Sequence, residues 1–316
     1  MRKFGNTGME IKRVGFGGIP IQRISQEDTN KVIDELEKCG VNFIDTARGY
    51  TISEEYLGNA LKGRREKFYI ATKSMSRDYE SMKKDIEISL KNLQTDYIDL
   101  YQMHNVKPAE YDTIFGEDRA YRALLEAKET GKIKHIGITS HGLETVEKAV
   151  ESGKFETIQF PYNIVENQAD EVFKKAHEKG VGTIVMKPLA GGAIDDGTLA
   201  MKYLLSREYI DVAIPGMDSP QQVIENTDVL QNYELTEEDN KKIAKIKSEL
   251  GTNFCRRCEY CLPCPKGINI PQNFLLEGYY NRYNLKDWAV DRYRGLAENE
   301  RASNCIECGA CQKKCP

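Results

Sequence analysis

The chain has 316 residues, of which 40% are hydrophobic, and its formal net charge is −4 from 45 basic and 49 acidic residues. This length suits one large domain with a smaller appendage. The scattered basic residues argue against nucleic acid as a partner, and no apolar run approaches the roughly 20 residues of a membrane-spanning helix. Because no apolar signal segment follows Met1, we expect a cytoplasmic protein.

From residue 14 to about residue 230, the chain alternates between short β-rich runs and longer amphipathic runs. Residues 1–13 predict a hairpin that turns at Asn6-Thr7-Gly8 and plugs one end of the domain. The eight predicted strands are Val14–Gly17, Asn42–Thr46, Phe68–Lys73, Tyr97–Met103, Ile133–Thr139, Thr157–Phe160, Gly182–Lys187 and Asp211–Pro215. The eight predicted helices are Asp28–Cys39, Glu54–Leu61, Tyr79–Leu93, Asp118–Thr130, Leu143–Ser152, Ala169–Lys179, Leu199–Arg207 and Gln221–Leu230.

Eight strand–helix units at this spacing predict an α/β fold, the (β/α)8 TIM barrel. The alternative is a doubly wound sheet, which more often has about five or six strands and a glycine-rich first turn. A helix over Thr236–Leu250, capped by Thr236, is predicted to close the barrel domain. We therefore place the barrel at 1–250 and a second, mainly helical domain at 251–316, whose aromatic stretch Pro271–Ala302 is predicted to form a small core.

Four polar residues fall where the strands of such a barrel end, which is where its reactive groups lie. Asp45 ends the second predicted strand, Tyr50 follows it, Lys73 ends the third and His104 ends the fourth. Each alone has an ordinary explanation, such as capping or solvation. Together they predict a carbonyl-reducing acid, because a nearby lysine lowers the pKa of a tyrosine and a carboxylate can hold that lysine. His104 would orient the carbonyl oxygen.

These positions resemble the catalytic tetrad of the aldo-keto reductase superfamily. The resemblance covers most of residues 1–235 through an ordered series of motifs. They are Phe16-Gly17-Gly18, Asp45-Thr46-Ala47-x-x-Tyr50, Ala71-Thr72-Lys73, Asp99-Leu100-Tyr101-x-x-His104, Ile136-Gly137-Ile138-Thr139-Ser140, Gln159-x-x-Tyr162-Asn163, Lys187-Pro188-Leu189-Ala190-Gly191-Gly192, Ile214-Pro215 and Glu225-Asn226. The family implies NAD(P)H-dependent reduction of a small aldehyde or ketone, with Tyr50 as the proton donor.

The resemblance also implies a cofactor site. Ser140 and Gln159 would bond the nicotinamide carboxamide, the loop Pro188–Gly192 would cover the pyrophosphate, and Glu225 with Asn226 would meet the adenine. The positions that correspond to the family's cofactor site are Gly18, Ser140, Gln159, Met186, Pro188, Leu189, Gly191, Gly216, Gln222, Glu225 and Asn226.

Three of these positions depart from the family pattern. Gly216 and Gln222 stand where the family often has the Lys and Arg that bind the 2′-phosphate of NADP, and neither can pair with a phosphate. The expected cofactor is therefore NADH, or either cofactor without strong preference. Met186 stands where an aromatic ring would stack on the nicotinamide, and methionine offers a softer contact.

Eight of the nine cysteines form two runs near the C-terminus. The runs are Cys255-x2-Cys258-x2-Cys261-x2-Cys264-Pro265 and Cys305-x2-Cys308-x2-Cys311-x3-Cys315-Pro316. The second run has the spacing of the bacterial ferredoxin ligand string, so eight thiolates predict two [4Fe–4S] clusters. Interlaced ligation would put Cys255, Cys258, Cys261 and Cys315 on one cluster and Cys264, Cys305, Cys308 and Cys311 on the other. Zinc sites and a disulfide framework are the competing interpretations, and the isolated Cys39 is expected in the core.

A subset of aldo-keto reductases is similar to this chain in carrying such a ferredoxin-like tail. Nicotinamide transfers two electrons as a hydride whereas a cluster transfers one, so direct exchange needs a converter such as a flavin. No flavin motif is evident. The clusters are then either structural, or a flavin or a redox protein partner takes part. The alternative function is an electron-transfer or redox-sensing iron–sulfur protein that uses the barrel as a scaffold.

Overall fold

The computed structural model describes residues 1–250, 255, 261–281 and 286–315. A two-stranded antiparallel hairpin, β1 (Arg2–Lys3) and β2 (Glu10–Ile11), precedes eight parallel strands that lie side by side in chain order. These strands are β3 (Phe16–Gly17), β4 (Phe43–Asp45), β5 (Tyr69–Ser74), β6 (Ile98–Met103), β7 (Ile133–Thr139), β8 (Thr157–Pro161), β9 (Gly182–Met186) and β10 (Val212–Ala213).

The structure describes eleven α-helices, of which the first eight follow the strands and cover the outside of the sheet. They are α1 (Gln26–Lys38), α2 (Ser53–Ala60), α3 (Tyr79–Leu93), α4 (Ala120–Glu129), α5 (Leu143–Ser152), α6 (Asp170–Glu178), α7 (Gly197–Leu205), α8 (Pro220–Asp228), α9 (Glu237–Leu250), α10 (Ile270–Asn281) and α11 (Lys286–Arg294). The buried helix residues form one continuous hydrophobic layer with the outward side chains of the strands. None of the described helices is long and apolar enough to cross a bilayer.

The sheet closes into a barrel where its first strand meets its last. The Gly15 N–H donates to the Ala213 carbonyl and the Gly17 N–H donates to the Pro215 carbonyl, both at 2.9 Å. This pairing consists of separate parallel bridges instead of a continuous ladder. The edge strands β3 and β10 are therefore shorter than the sequence predicts. The predicted (β/α)8 barrel itself is confirmed.

The N-terminal hairpin closes the lower end of the barrel, as predicted. Its chain turns through Gly8, whose φ of +78° favours glycine. The buried side chains of the hairpin pack on inward residues of the strands. This cluster comprises Phe4, Met9, Ile11, Phe43, Ala71, Leu100, Ile184, Val212 and Ile214. Arg2 links the hairpin to Asp211, the residue before β10, through an ion pair of 2.8 Å.

The helix that follows the barrel begins as the sequence predicts. The Thr236 hydroxyl accepts a bond from the Asp239 N–H at 3.1 Å, and the Asp239 carboxylate accepts one from the Thr236 N–H at 3.0 Å. This is a reciprocal capping arrangement, which satisfies backbone donors that a helix start leaves unpaired. The predicted helix boundary at Thr236 is therefore confirmed.

The C-terminal segment contains the predicted helices but not the predicted aromatic core. Helices α10 and α11 pack together, and the Tyr279 and Trp288 rings meet edge to face at 4.9 Å. Phe274, Tyr280 and Trp288 nevertheless leave 49%, 41% and 44% of their surface exposed. Two short helices cannot enclose rings of this size, so the expectation of a core was wrong for these three. Tyr283 lies outside the described residues.

Candidate active site

The four candidate catalytic residues converge at the upper end of the barrel. Asp45 is the last residue of β4, Lys73 lies in β5, and His104 directly follows β6. Tyr50 lies in the loop between β4 and α2. Because the strands are parallel and adjacent, their C-terminal ends meet at one edge. The structure therefore brings together all four residues that the sequence singles out.

The centre of the site is a buried ion pair. The Lys73 Nζ atom lies 2.5 Å from the Asp45 Oδ2 atom and donates to the Thr46 carbonyl at 2.7 Å. The Gln102 Nε2 atom donates to the Asp45 Oδ1 atom at 3.1 Å. Burial raises the pKa of Asp45 and lowers the pKa of Lys73, and the attraction between the two charges opposes both shifts. Each partner therefore depends on the other to stay ionised.

Tyr50 lies against this pair and beside His104. The Lys73 Nζ atom is 4.9 Å from the centre of the Tyr50 ring, and the Tyr50 and His104 rings meet edge to face at 6.0 Å. Burial raises the pKa of Tyr50 well above its ordinary value, and the negative charge of Asp45 adds to this. The expected lowering by Lys73 does not prevail, because desolvation is the larger effect. The phenol thus stays protonated, which is the form that donates a proton.

His104 is held neutral. Burial lowers the pKa of its imidazole to about 3, and the charges of Lys73 and Arg77 contribute. Arg77 also fixes the backbone here, since its Nη2 atom donates to the His104 carbonyl at 2.8 Å. The His104 Nδ1 atom is buried and has no hydrogen-bond partner within the described part of the chain. A neutral imidazole can donate from one nitrogen only, so it is suited to orient a carbonyl oxygen.

The two residues predicted to bind the nicotinamide carboxamide lie next to this centre. Gln159, in β8, hydrogen-bonds Asp45, and its Oε1 atom is buried without a partner among the described residues. The Ser140 hydroxyl donates to the Val106 carbonyl at 2.6 Å and accepts from the Gly142 N–H at 2.9 Å. An unpaired buried amide oxygen is costly unless a ligand supplies a donor. A carboxamide NH2 group is such a donor, so these residues fit the expected cofactor.

The loop predicted to cover the pyrophosphate has an irregular backbone. Lys187, Ala190, Gly191 and Gly192 all have positive φ angles, of +57°, +51°, +68° and +79°. The Asn163 side chain donates to the Lys187 carbonyl at 3.1 Å and anchors the start of this loop. Left-handed residues turn successive N–H groups towards one side, an arrangement that binds anions. Pro188 and Leu189 lie inside this turn.

The other positions predicted to meet the cofactor follow the strand ends or lie in or near α8. Met186 ends β9 and is half-buried. The Gly18 N–H donates to the Asp45 carbonyl at 2.8 Å, and a Cβ atom on Gly216 would lie 2.7 Å from the Pro20 ring. Three hydrogen bonds hold the predicted adenine-side residues. Gln222 accepts from the N–H of Asp218, which precedes α8, at 2.8 Å. Within α8, Glu225 accepts from Gln221 at 3.0 Å, and Asn226 donates to the Gln222 carbonyl at 2.8 Å.

The structure describes seven of the eight cysteines in the two runs, and none of these seven forms a disulfide. Cys258 lies outside the described residues. Within the described ranges, no three Cys, His, Asp or Glu side chains are grouped as a metal site. The Glu307 N–H donates to the Cys305 Sγ atom at 3.4 Å, a contact typical of thiolate ligands to clusters. The donor set fits an iron–sulfur cluster, whereas the predicted pairing of cysteines stays a prediction. Cys39 is half-buried and packs partly against the core.

Two parts of the site were missed by the sequence analysis. Gln102 donates a hydrogen bond to Asp45, and Arg77 donates one to the His104 carbonyl. A signal for Gln102 exists, because it is an amide side chain inside a fully buried strand that leads to a candidate catalytic histidine. Arg77 gives no comparable signal, since a surface arginine after a strand is ordinary.

Comparisons with known proteins agree with this geometry. Residues 13–198 match the aldo/keto reductase family, and residues 254–316 match a 4Fe-4S dicluster domain. The L-galactose dehydrogenase of Arabidopsis thaliana is 27% identical over 79% of this chain and 94% of its own length. The NADH-specific methylglyoxal reductase of Escherichia coli (strain K12) is 28% identical over 63% of this chain and 70% of its own.

A solved structure supports the same assignment. The holo form of an aldo-keto reductase from Bacillus halodurans superimposes with a TM-score of 0.67 and 26% identity, over 78% of this chain and 95% of its own. The family match alone spans more than half of the chain. The chain therefore belongs to the aldo/keto reductase family of oxidoreductases and carries a C-terminal 4Fe–4S dicluster domain.

Proposed function

We propose that this protein reduces a small aldehyde or ketone with a nicotinamide cofactor, and that Tyr50 donates the proton. One observation carries this proposal. Lys73 bonds Asp45 at 2.5 Å and lies 4.9 Å from the Tyr50 ring, while the neutral His104 faces the same ring. A protein that used the barrel only as a scaffold would not need these four residues, because a buried lysine beside a tyrosine is costly to maintain.

The residues divide the chemistry as follows. A bound nicotinamide cofactor would supply the hydride to the carbonyl carbon. The carbonyl oxygen then takes the proton of the Tyr50 hydroxyl, which leaves a tyrosinate that solvent reprotonates. The Lys73 ammonium lies close enough to stabilise that tyrosinate, and a His104 N–H would hold the carbonyl oxygen in place. The product is the alcohol.

The test is a direct assay of the purified full-length chain in both directions. Methylglyoxal with NADH or NADPH tests reduction, because a relative is named for that activity. L-galactose with NAD tests oxidation, because another relative is named for it. We expect cofactor oxidation that depends on a carbonyl and yields an equal amount of alcohol. Failure with a panel of small aldehydes, ketones and sugars would overturn the proposal.

The cofactor preference is testable at Gln222. Its side chain bonds the Asp218 N–H and carries no charge, so it cannot neutralise a 2′-phosphate. We expect wild-type protein to use NADH at least as well as NADPH. Gln222→Arg should lower KM for NADPH by about tenfold or more with little change for NADH, since a charged hydrogen bond contributes about 1.5–3 kcal/mol. Gln221→Arg, on the exposed face one residue away, is the matched control; equal effects of both variants would contradict the assignment.

We further propose that the eight cysteines of residues 251–316 bind two [4Fe–4S] clusters, which also implies a reducing compartment such as the cytoplasm. The absence of disulfides among the described cysteines and the bond to the Cys305 Sγ atom support this. Protein purified without oxygen should contain about eight irons and eight sulfides per chain. Zinc without sulfide would contradict it.

The clusters raise a second candidate function, electron transfer to a protein partner. The match to a dicluster domain favours it. The visible spectrum of the holoprotein distinguishes the two roles. If NADH bleaches the cluster absorption, electrons reach the clusters, and a flavin or other two-to-one electron converter must be present. If the absorption persists during carbonyl reduction, the clusters do not take part in that reaction.

A further inference from the structure

Behind the catalytic ion pair lies a second polar layer that the proposed reaction does not use. Side chains alternate along a strand, so the neighbours of the inward Lys73 point out towards the helices. The Thr72 hydroxyl donates to the Glu54 Oε1 atom at 2.8 Å, and the Ser74 hydroxyl donates to Asp85. The two residues on either side of Lys73 thus hydrogen-bond carboxylates on α2 and α3.

Glu54 is the centre of this outer layer. It is only 1% exposed, although it is a carboxylate. Besides Thr72 it accepts bonds from the Ser89 hydroxyl at 2.7 Å and from Asn92 at 3.3 Å. Close packing of α2 on α3 makes these bonds possible, because a Cβ atom on Gly58 would lie 2.2 Å from the Asn92 carbonyl. A buried carboxylate with this many donors still needs a positive charge nearby.

Arg48 supplies that charge. Its Nη1 atom lies 2.5 Å from the Glu54 Oε2 atom, and its Nε atom lies 3.9 Å from the Asp85 Oδ1 atom. The backbone N–H of Arg48 also donates to the Lys73 carbonyl at 2.9 Å. One residue therefore joins the two carboxylates of the outer layer to the backbone of the catalytic lysine.

Arg48 also controls the loop that carries Tyr50. Only one residue separates the two, and the Tyr50 N–H donates to the Ala47 carbonyl at 3.0 Å. The next residue, Thr51, has a φ of +36°, a conformation that is strained for a β-branched residue and persists only where its surroundings enforce it. The ion pair with Glu54 is a strong, buried anchor at the start of this strained turn.

We propose that Arg48 is a positioning residue, which holds the Tyr50 loop against Lys73 through its ion pair with Glu54. This inference rests on the proposed role of Tyr50. Without the guanidinium, the loop loses its anchor and the Tyr50 hydroxyl moves relative to the Lys73 ammonium. Glu54 also raises the pKa of Lys73 and so helps to keep it charged.

The experiment compares three variants of the full-length protein. Arg48→Gln should lower kcat by about 10- to 100-fold, the scale expected for a displacement near 1 Å, with KM for the carbonyl within about twofold of wild type. Arg48→Lys should recover most of kcat, because an ammonium can still pair with Glu54. Arg65→Gln is the matched control. Arg65 pairs with the buried Asp99 at 2.6 Å near the start of β6, at the opposite end of that strand from His104.

Each outcome has a definite meaning. The proposal is supported if Arg65→Gln lowers thermal stability but keeps kcat, while Arg48→Gln loses kcat in protein that is fully folded. Wild-type kcat in folded Arg48→Gln overturns it, and so does an equal loss of kcat in both variants. Tyr50→Phe, measured in parallel, separates the two hypotheses. A fully active Tyr50→Phe enzyme contradicts the role of Tyr50 itself, whereas an inactive one beside an unimpaired Arg48→Gln enzyme contradicts only the positioning role.

Discussion

Replacing Tyr50 with phenylalanine should lower kcat for carbonyl reduction by about 10²- to 10⁴-fold, the usual contribution of a general acid. The change removes one hydroxyl and keeps the ring, so the contacts with Lys73 and His104 remain. Binding of the nicotinamide cofactor should be unaffected, because its predicted contacts lie elsewhere on the rim. Steady-state kinetics together with cofactor titration by fluorescence would measure both quantities.

Tyr56→Phe is the control for this experiment. Tyr56 lies on α2, half-buried against the outer hydrophobic layer, so the same atom is removed from a place with no role in the chemistry. We expect wild-type kcat from it. If Tyr50→Phe retains wild-type kcat as well, the proton comes from another group, and the arrangement of Tyr50 and Lys73 would need a different explanation.

Replacing Lys73 with methionine should destabilise the fold by about 3–5 kcal/mol, because it leaves Asp45 as a buried, unpaired charge. Asp45 and Lys73 are 3% and 2% exposed at their side chains. Removal of the ammonium raises the pKa of Asp45 further above its value in the unfolded chain, so the folded state then binds the extra proton. The penalty should therefore grow as the pH rises from 5 to 8. Urea unfolding at both pH values measures it.

The double variant Asp45→Asn with Lys73→Met provides the control. Both charges are gone, so the penalty of an unpaired charge disappears, and replacing a buried pair by neutral groups is often nearly neutral. We expect the double variant to be more stable than Lys73→Met alone and to show little dependence on pH. Additive losses from the two single changes would contradict a coupled pair.

The fold was predictable wherever a local pattern decides it. Helices α3 and α5 and strand β7 have the predicted bounds, because each has a clear apolar period between polar or glycine ends. The edge strands β3 and β10 were predicted too long, since their pairing is completed only when the barrel closes. The aromatic residues of the C-terminal segment were predicted as core because sequence cannot show how few elements surround them.

The candidate active site was likewise predictable only in part. The tetrad could be predicted because each member ends a recognisable strand or follows one closely. The network around Glu54 could not, since its donors come from the loop after β4, from β5 and from α3. The raised pKa of Tyr50 was missed for a related reason. The proximity of a lysine is visible in a motif, whereas the degree of burial is a property of the assembled barrel.

The closure of the barrel also bears on how the protein is made. Arg2 and Asp211 are separated by 209 positions, and the neighbouring strands β3 and β10 meet only after both have been synthesised. Contacts so distant in sequence form late, because a long loop must be ordered first. Both cysteine runs follow β10 in the chain. During translation the barrel can thus be completed before the last thiols emerge, and the assembly of iron–sulfur clusters would then take place beside a folded domain.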